Sequence, residues 1–190
     1  MQKAASTTAY FYCLENDPRK NDCISIYRGL LSQLLQHCQD LIPFCYEKLS
    51  SHGELNLTSL ALAEKLLKLF IEKIPKLFFI IDDLDECDTT QRTLVLTFLT
   101  SIVERWDDRE PGKLCVLFIS QDFPDIRKTL QTATVMDLTP EDNKNDIKAY
   151  VLHWSNKIQQ KYEIDDKDID FIKESTLVRS KGTTPCGKRI

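Results

Sequence analysis

Apolar positions along this chain follow two rhythms. "TAYFYCL" (Thr8–Leu14), "LFFII" (Leu77–Ile81) and "LCVLFIS" (Leu114–Ser120) are short, nearly unbroken runs with the β-branched and aromatic content of strands. Between them apolar residues return every three or four positions, the period of a helix with one buried face. From 24 to 38 the stripe is Tyr27, Leu30, Leu31, Leu34, Leu35 and Cys38, with Asn21 or Asp22 placed to cap it. Gly29 inside that helix costs about 1 kcal/mol relative to alanine, which packing must cover. From 60 to 74 the stripe is Ala63, Leu66, Leu67, Phe70, Ile71 and Ile74, and Pro75 stops it. From 90 to 106 it is Val95, Phe98, Leu99, Ile102, Val103 and Trp106.

Strands apolar on both faces and alternating with helices predict an α/β parallel sheet covered on two sides. That core spans about residues 1–138, with Ala133–Leu138 as a short last strand. The character then changes. Thr139 reads as a helix cap with Pro140 in the first turn and Asp142 three residues after the cap. Ile147, Tyr150, Val151, Trp154 and Ile158 follow as a stripe, on which Tyr150 and Trp154 are expected to be core. "EIDDKDIDFIKEST" predicts a further helix. Residues 139–178 therefore read as a small helical subdomain, and 179–190, without periodicity, as a disordered tail.

Composition narrows the picture by exclusion. A net charge of −4 and a pI near 5.4 give nucleic acid and anionic membranes no electrostatic attraction to this chain. The N-terminus lacks the apolar segment of a secretory signal, and no run approaches the length of a membrane span. Seven cysteines, with no C-x-x-C pair, fit neither a zinc site nor a disulfide framework, so reduced thiols in a cytoplasmic protein are expected. His37, His52 and His153 stand too far apart in pattern to suggest a metal or base role.

The chemistry concentrates in "KLFFIIDDLDEC", where a buried strand runs into Asp82, Asp83, Asp85 and Glu86. In open α/β sheets, ligands bind beyond the carboxyl ends of the strands. A carboxylate there suits hydrated Mg²⁺, and two further acids suit the polarisation of a water. Hydrophobic residues, Asp, any residue, hydrophobic, Asp-Glu is the Walker B pattern of P-loop ATPases. Three other readings compete. Asp83, Asp85 and Asp88 can simply cap and charge the next helix. Asp83 and Asp85 can form a phosphotransfer Asp-x-Asp pair, although Cys87 stands where Thr or Val is wanted. A calcium loop lacks its turn glycine.

Four blocks in order, "TAYFYCLENDPRKNDCISIYRGLLSQLL", "LFFIIDDLDEC", "LCVLFISQDFPDIRKTL" and "LTPEDNKNDIKAYV", resemble the NACHT-type module of STAND signalling ATPases. Within that group the chain is most similar to the nephrocystin-like N-terminal domain of fungal repeat proteins, over about residues 8–175. The resemblance implies a P-loop NTPase-like fold in which Asp82 is the magnesium residue and Asp85 and Glu86 the catalytic acidic pair. Ser120 would end the sensor strand as a nucleotide-binding residue, with Gln121 where relatives often have arginine. It further implies ATP and Mg²⁺ as cofactors of the full-length form, nucleotide-dependent oligomerisation, and repeat or effector domains as partners.

No G-x-x-x-x-G-K-[ST] occurs anywhere in the chain. By the resemblance, the first strand, phosphate loop and first helix are missing. Losing four charge-assisted hydrogen bonds costs on the order of 6 kcal/mol, at least about four powers of ten in affinity. This chain alone is thus expected neither to bind ATP tightly nor to hydrolyse it. The family's sheet order would leave the three long strands contiguous, the acidic strand in the middle, and Leu114–Ile119 at an exposed edge. That edge predicts marginal stability and possible self-association. A non-catalytic interaction module and an unrelated magnesium-dependent phosphotransfer enzyme are the alternatives.

Overall fold

Three parallel strands build the sheet: β1 (Ser6–Tyr12), β2 (Lys76–Asp82) and β3 (Leu114–Phe118), in the order β1-β2-β3. The register sets Ala9 beside Phe79 and Ile81 beside Phe118. The acidic strand therefore lies in the middle, as the family resemblance implies. Two backbone bonds carry the pairing past the strand ends, Cys13 N to Asp82 O (2.9 Å) and Ile119 N to Ile81 O (2.8 Å). This computed structural model describes residues 6–53, 56–139 and 141–182, in two compact units, Met1–Thr134 and Val135–Ile190.

In the first unit the helices are α1 (Cys23–His37), α2 (Ile42–Ser51), α3 (Leu60–Lys73), α4 (Thr89–Asp107) and the short α5 (Pro124–Thr129). The starts of α1, α3 and α4 follow from side chains that satisfy the open N–H groups of a first turn. Asp22 accepts from Ser25 N at 2.8 Å, Ser59 from Leu62 N at 3.3 Å, and Asp88 from Thr90 N and Gln91 N at 2.8 and 3.0 Å. α2 follows a single 3-10 turn, with Pro43 in its first turn, and buries only Cys45; its weak apolar stripe left no helical signature in the sequence.

The core lies on one face of the sheet. Ala9, Leu77, Phe79, Ile81 and Leu114 point into it and meet Ile26, Leu30, Leu67, Phe70, Leu96 and Leu99 from α1, α3 and α4. On the opposite face Thr8, Tyr10 and Tyr12 are exposed, and Phe78, Ile80 and Leu117 are only partly buried. The expectation of a sheet covered on two sides is corrected here for the first unit. An unbroken apolar run contains residues of both parities, and only alternation in burial, which the run cannot display, tells whether one face or two is covered.

Gly29 has a specific reason. A Cβ on it would stand 2.4 Å from Cδ2 and 2.7 Å from Cε2 of Phe11, so the absent side chain lets α1 settle onto β1. Tyr27 packs its ring 5.1 Å from that of Phe98, fully buried. Its hydroxyl has no nitrogen or oxygen partner, the Cys23 thiol being the polar group it meets. Burial pushes the Tyr27 hydroxyl far up and the Cys23 thiol up to about 11. A buried hydroxyl without a good partner contributes little, so Tyr27→Phe should leave stability within about 1 kcal/mol of the parent or raise it. A urea midpoint falling by the equivalent of about 2 kcal/mol would show that the hydroxyl is bonded after all.

The second unit holds α6 (Lys144–Tyr162) packed on α7 (Asp166–Gly182). Three expectations change here. Residues 133–138 form no strand, only a single-residue bridge at Asp137. Thr139 does not cap α6; its N–H and hydroxyl both donate to the Asp142 carboxylate, at 2.8 and 2.7 Å, closing a turn that precedes the helix. Pro140 lies outside the described residues, as do 183–190 of the predicted tail. The buried line of α6 runs through Ile147, Val151, Ser155 and Ile158, which leaves Tyr150 (65% exposed) and Trp154 (45%) on the outside instead of in a core. No helix among the described residues is long and apolar enough to cross a membrane.

Candidate functional site

The carboxyl end of β2 is where the acids gather. Asp82 is the last residue of the strand, and its Oδ1 accepts from the N–H of Asp83 at 2.9 Å. Asp83 turns the chain sharply, with φ 54° and ψ 42°, the left-handed region that aspartate enters more readily than most residues. A 3-10 turn, Leu84–Glu86, then drops Leu84 into the core and presents Asp85 and Glu86 on either side of it.

Those two acids are tethers. Asp85 Oδ1 accepts from Gln121 N at 3.0 Å, and Glu86 Oε2 accepts from Glu15 N at 3.1 Å. The loop after β2 is thereby tied to the loop after β3 on one side and the loop after β1 on the other. Ser120, one residue before Gln121, is buried, and its hydroxyl donates to the Gln121 carbonyl at 3.0 Å. The sequence-predicted residues thus share one end of the sheet, with Asp85, Glu86 and the Ser120–Gln121 segment linked through backbone groups.

Beside them a cavity of about 300 Å³ is lined by Glu15, Asp22, Asp85, Glu86 and Asp88, with Asn21, Cys87 and Gln91. Asp82 and Ser120 are not in its wall. Four of the five acids hold backbone N–H groups: Asp22 and Asp88 start α1 and α4, and Asp85 and Glu86 clamp the loops. Positive ends of helices and loop amides are what these carboxylates face. With no cation in its lining, the cavity repels a triphosphate. The donor set does not complete a metal centre either. Among the described residues no three His, Cys, Asp or Glu side chains are grouped to hold an ion.

The charge that balances the cluster comes from α4. Arg92 is buried; its Nε and Nη2 fork onto Asp125, Nη2 reaching Oδ1 at 2.9 Å, and its Nη1 donates to the Cys87 carbonyl at 3.1 Å. Its guanidinium stacks 4.7 Å from the Phe123 ring centre. The bond to Arg92 holds the Asp125 carboxyl below the usual range, and Asp125 in turn raises Arg92. The pattern carried a signal for this residue: Arg92 occupies a position on the buried stripe of α4, three and four residues before Val95 and Leu96. A charge on an apolar stripe needs a partner. Nothing local pointed to Asp125 as that partner.

Cys13 and Cys87 meet at the ends of β1 and of the acidic turn. Their thiols are hydrogen-bonded, which pushes Cys13 up and Cys87 down, and both are buried. All six described cysteines are free.

The strand order, the acidic turn and the clamp to Gln121 all lie within residues 1–121, which match the family described as nephrocystin 3, N-terminal. The chain belongs to that family. No curated protein and no solved structure matches it. The nephrocystin 3 N-terminal match takes in β1 to β3 and the whole acidic loop and stops at Gln121, so α5 and the second unit fall outside it.

Proposed function

We propose that this nephrocystin 3 N-terminal chain is the acidic half of a NACHT-type nucleotide switch, working within a longer protein and without ATPase activity alone. The observation that supports the reading most is the position of Asp82, at the carboxyl end of the central parallel strand, where open α/β sheets place ligands. In an assembled site Asp82 would hold hydrated Mg²⁺, whose other oxygens must come from phosphates and water, since one carboxylate satisfies little of an octahedral shell. ATP with Mg²⁺ supplies the switching ligand in this reading, and Ser120 and Gln121 would stand near it. Asp85 and Glu86, carried over as the catalytic pair, act here first as positioning residues: each hydrogen-bonds a neighbouring loop, so moving either loop moves the acid.

A second reading, a non-catalytic interaction module of P-loop ancestry, draws on those same two bonds. A carboxylate that holds a scaffold amide is a strut. The experiment that separates them compares this chain with a version extended by a phosphate-loop segment, using a fluorescent ATP analogue and Mg²⁺. The chain alone should show no micromolar binding, and micromolar binding to it would overturn the half-site reading. The extended form should bind, and Asp82→Asn should weaken it about tenfold or more, the value of one charge-assisted contact. Binding that ignores Asp82→Asn would favour the interaction module.

A further inference from the structure

β1 has one neighbour among the described strands, so half of its backbone groups face away from the sheet. Parity settles which half. Cys13 N bonds to Asp82 O in the parallel ladder, and odd positions therefore face β2 while Thr8, Tyr10 and Tyr12 face outward. At the centre of this edge stands the side-chain amide of Gln33 from α1. Its Nε2 donates to Tyr10 O at 2.7 Å, and its Oε1 accepts from Tyr10 N at 3.1 Å. The same Nε2 donates to Gly29 O at 3.0 Å, which fixes the amide in the orientation both Tyr10 bonds require. One side chain thus makes the pair of hydrogen bonds that a neighbouring strand would make.

The strand it shields is built for pairing. Ser6–Leu14, "STTAYFYCL", contains no charge, proline or glycine and has three aromatic residues. Tyr10 and Tyr12 stand exposed with rings edge to face at 5.5 Å. Lysine, proline and bulges, the usual means of blunting an edge, are absent from it.

We propose that the outer edge of β1 is a strand-pairing surface for a second copy of this chain, and that Gln33 holds it shut. Two copies of one edge pair antiparallel about a two-fold axis, which makes the contact self-complementary. With Tyr10 on the axis, the two Tyr10 residues exchange N–H and C=O bonds directly, the pair that Gln33 occupies in each monomer. The surface is distinct from the β3 edge. It also does not depend on nucleotide, so its failure leaves the proposed half-site untouched.

The test uses the full chain with Gln33→Met, which keeps side-chain length and removes both bonds. Sedimentation over a range of concentrations should show the parent monomeric and Gln33→Met dimeric, self-association tightening on the order of 100-fold or more as two bonds per copy cease to compete. Hydrogen exchange at the Tyr10 amide should be slow in the parent, fast in dilute Gln33→Met and slow again on concentration. Adding Tyr10→Lys sets like charges opposite each other on the axis and should abolish the dimer. The proposal is overturned if Gln33→Met stays monomeric while its Tyr10 amide exchanges fast, or if the dimer survives Tyr10→Lys. Should Gln33→Met not fold, Gln33→Leu decides instead, because it removes both Tyr10 bonds without adding a charge; a monomeric Gln33→Leu with a fast Tyr10 amide overturns the proposal equally.

Discussion

Arg92→Leu is expected to cost about 3 kcal/mol of folding stability or more, a large part of what a domain of this size possesses. The side chain is only 9% exposed, and three structural pieces meet on it. Its fork holds Asp125 at the start of α5, its Nη1 holds the carbonyl that ends the acidic turn, and its face holds Phe123. Removing the cation strands a carboxylate and a carbonyl that Arg92 had desolvated, and that penalty exceeds the net worth of the pair. Asp125, 26% exposed, recovers some water, which keeps the figure at the lower end of the range for broken buried pairs. Arg92→Lys should recover less than half, because an ammonium cannot fork onto one carboxylate and reach the Cys87 carbonyl as well. Urea midpoints of the three proteins check the order; an Arg92→Leu loss below about 1 kcal/mol would show the hub to be surface decoration.

The same pair has a signature in acid. Arg92 holds the Asp125 carboxyl below its ordinary value of 3.8, so the unfolded chain takes up that proton first as pH falls. The stabilisation is complete above the ordinary value and is lost as pH drops through the lower folded one. The stability gap between the parent and Arg92→Leu should therefore be constant near neutrality and narrow only below about pH 4. A gap that narrows between pH 6 and 8 would point to a different group.

Local pattern was enough to place the strand at 77–81, its acidic end, three amphipathic helices and a cap at Asn21 or Asp22, because each is written in residues a few positions apart; the strand's central position came from the family resemblance. Pairings across the fold are not so written. Arg92 with Asp125, Asp85 with Gln121 and Gln33 with Tyr10 join residues 33, 36 and 23 positions apart, and none leaves a trace in periodicity. The acids illustrate the difference. Their position at a strand end was readable in "IIDDLDEC", whereas their use as clamps on the β1 and β3 loops emerges only when those loops are brought alongside. Coverage of the sheet failed to show for a related reason: Phe78 and Ile80 are as apolar as Phe79 and Ile81, and only the placement of α1, α3 and α4 makes one pair core and the other half-exposed.

Gly29→Ala should reverse the usual sign of that substitution. In an ordinary helix interior, alanine in place of glycine stabilises by about 1 kcal/mol. At this position the new methyl would sit 2.4 Å from the Phe11 ring, inside any tolerable contact. The ring cannot swing away freely, because Phe11 packs against the core between α1 and β1. Either the helix lifts off the sheet or the ring leaves its rotamer, and overpacking of this kind costs about 1–3 kcal/mol. The lift would also lengthen the Gln33 bonds to Tyr10, one turn along the same helix. A net loss of about 1 kcal/mol or more is expected, and it should depend on the ring. In a Phe11→Ala background, where the space is open, Gly29→Ala should become stabilising, a coupling of about 2 kcal/mol in the double-mutant cycle. Additive losses in that cycle would mean that Phe11 is not what the missing side chain accommodates, and the close seating of α1 on β1 would need another cause.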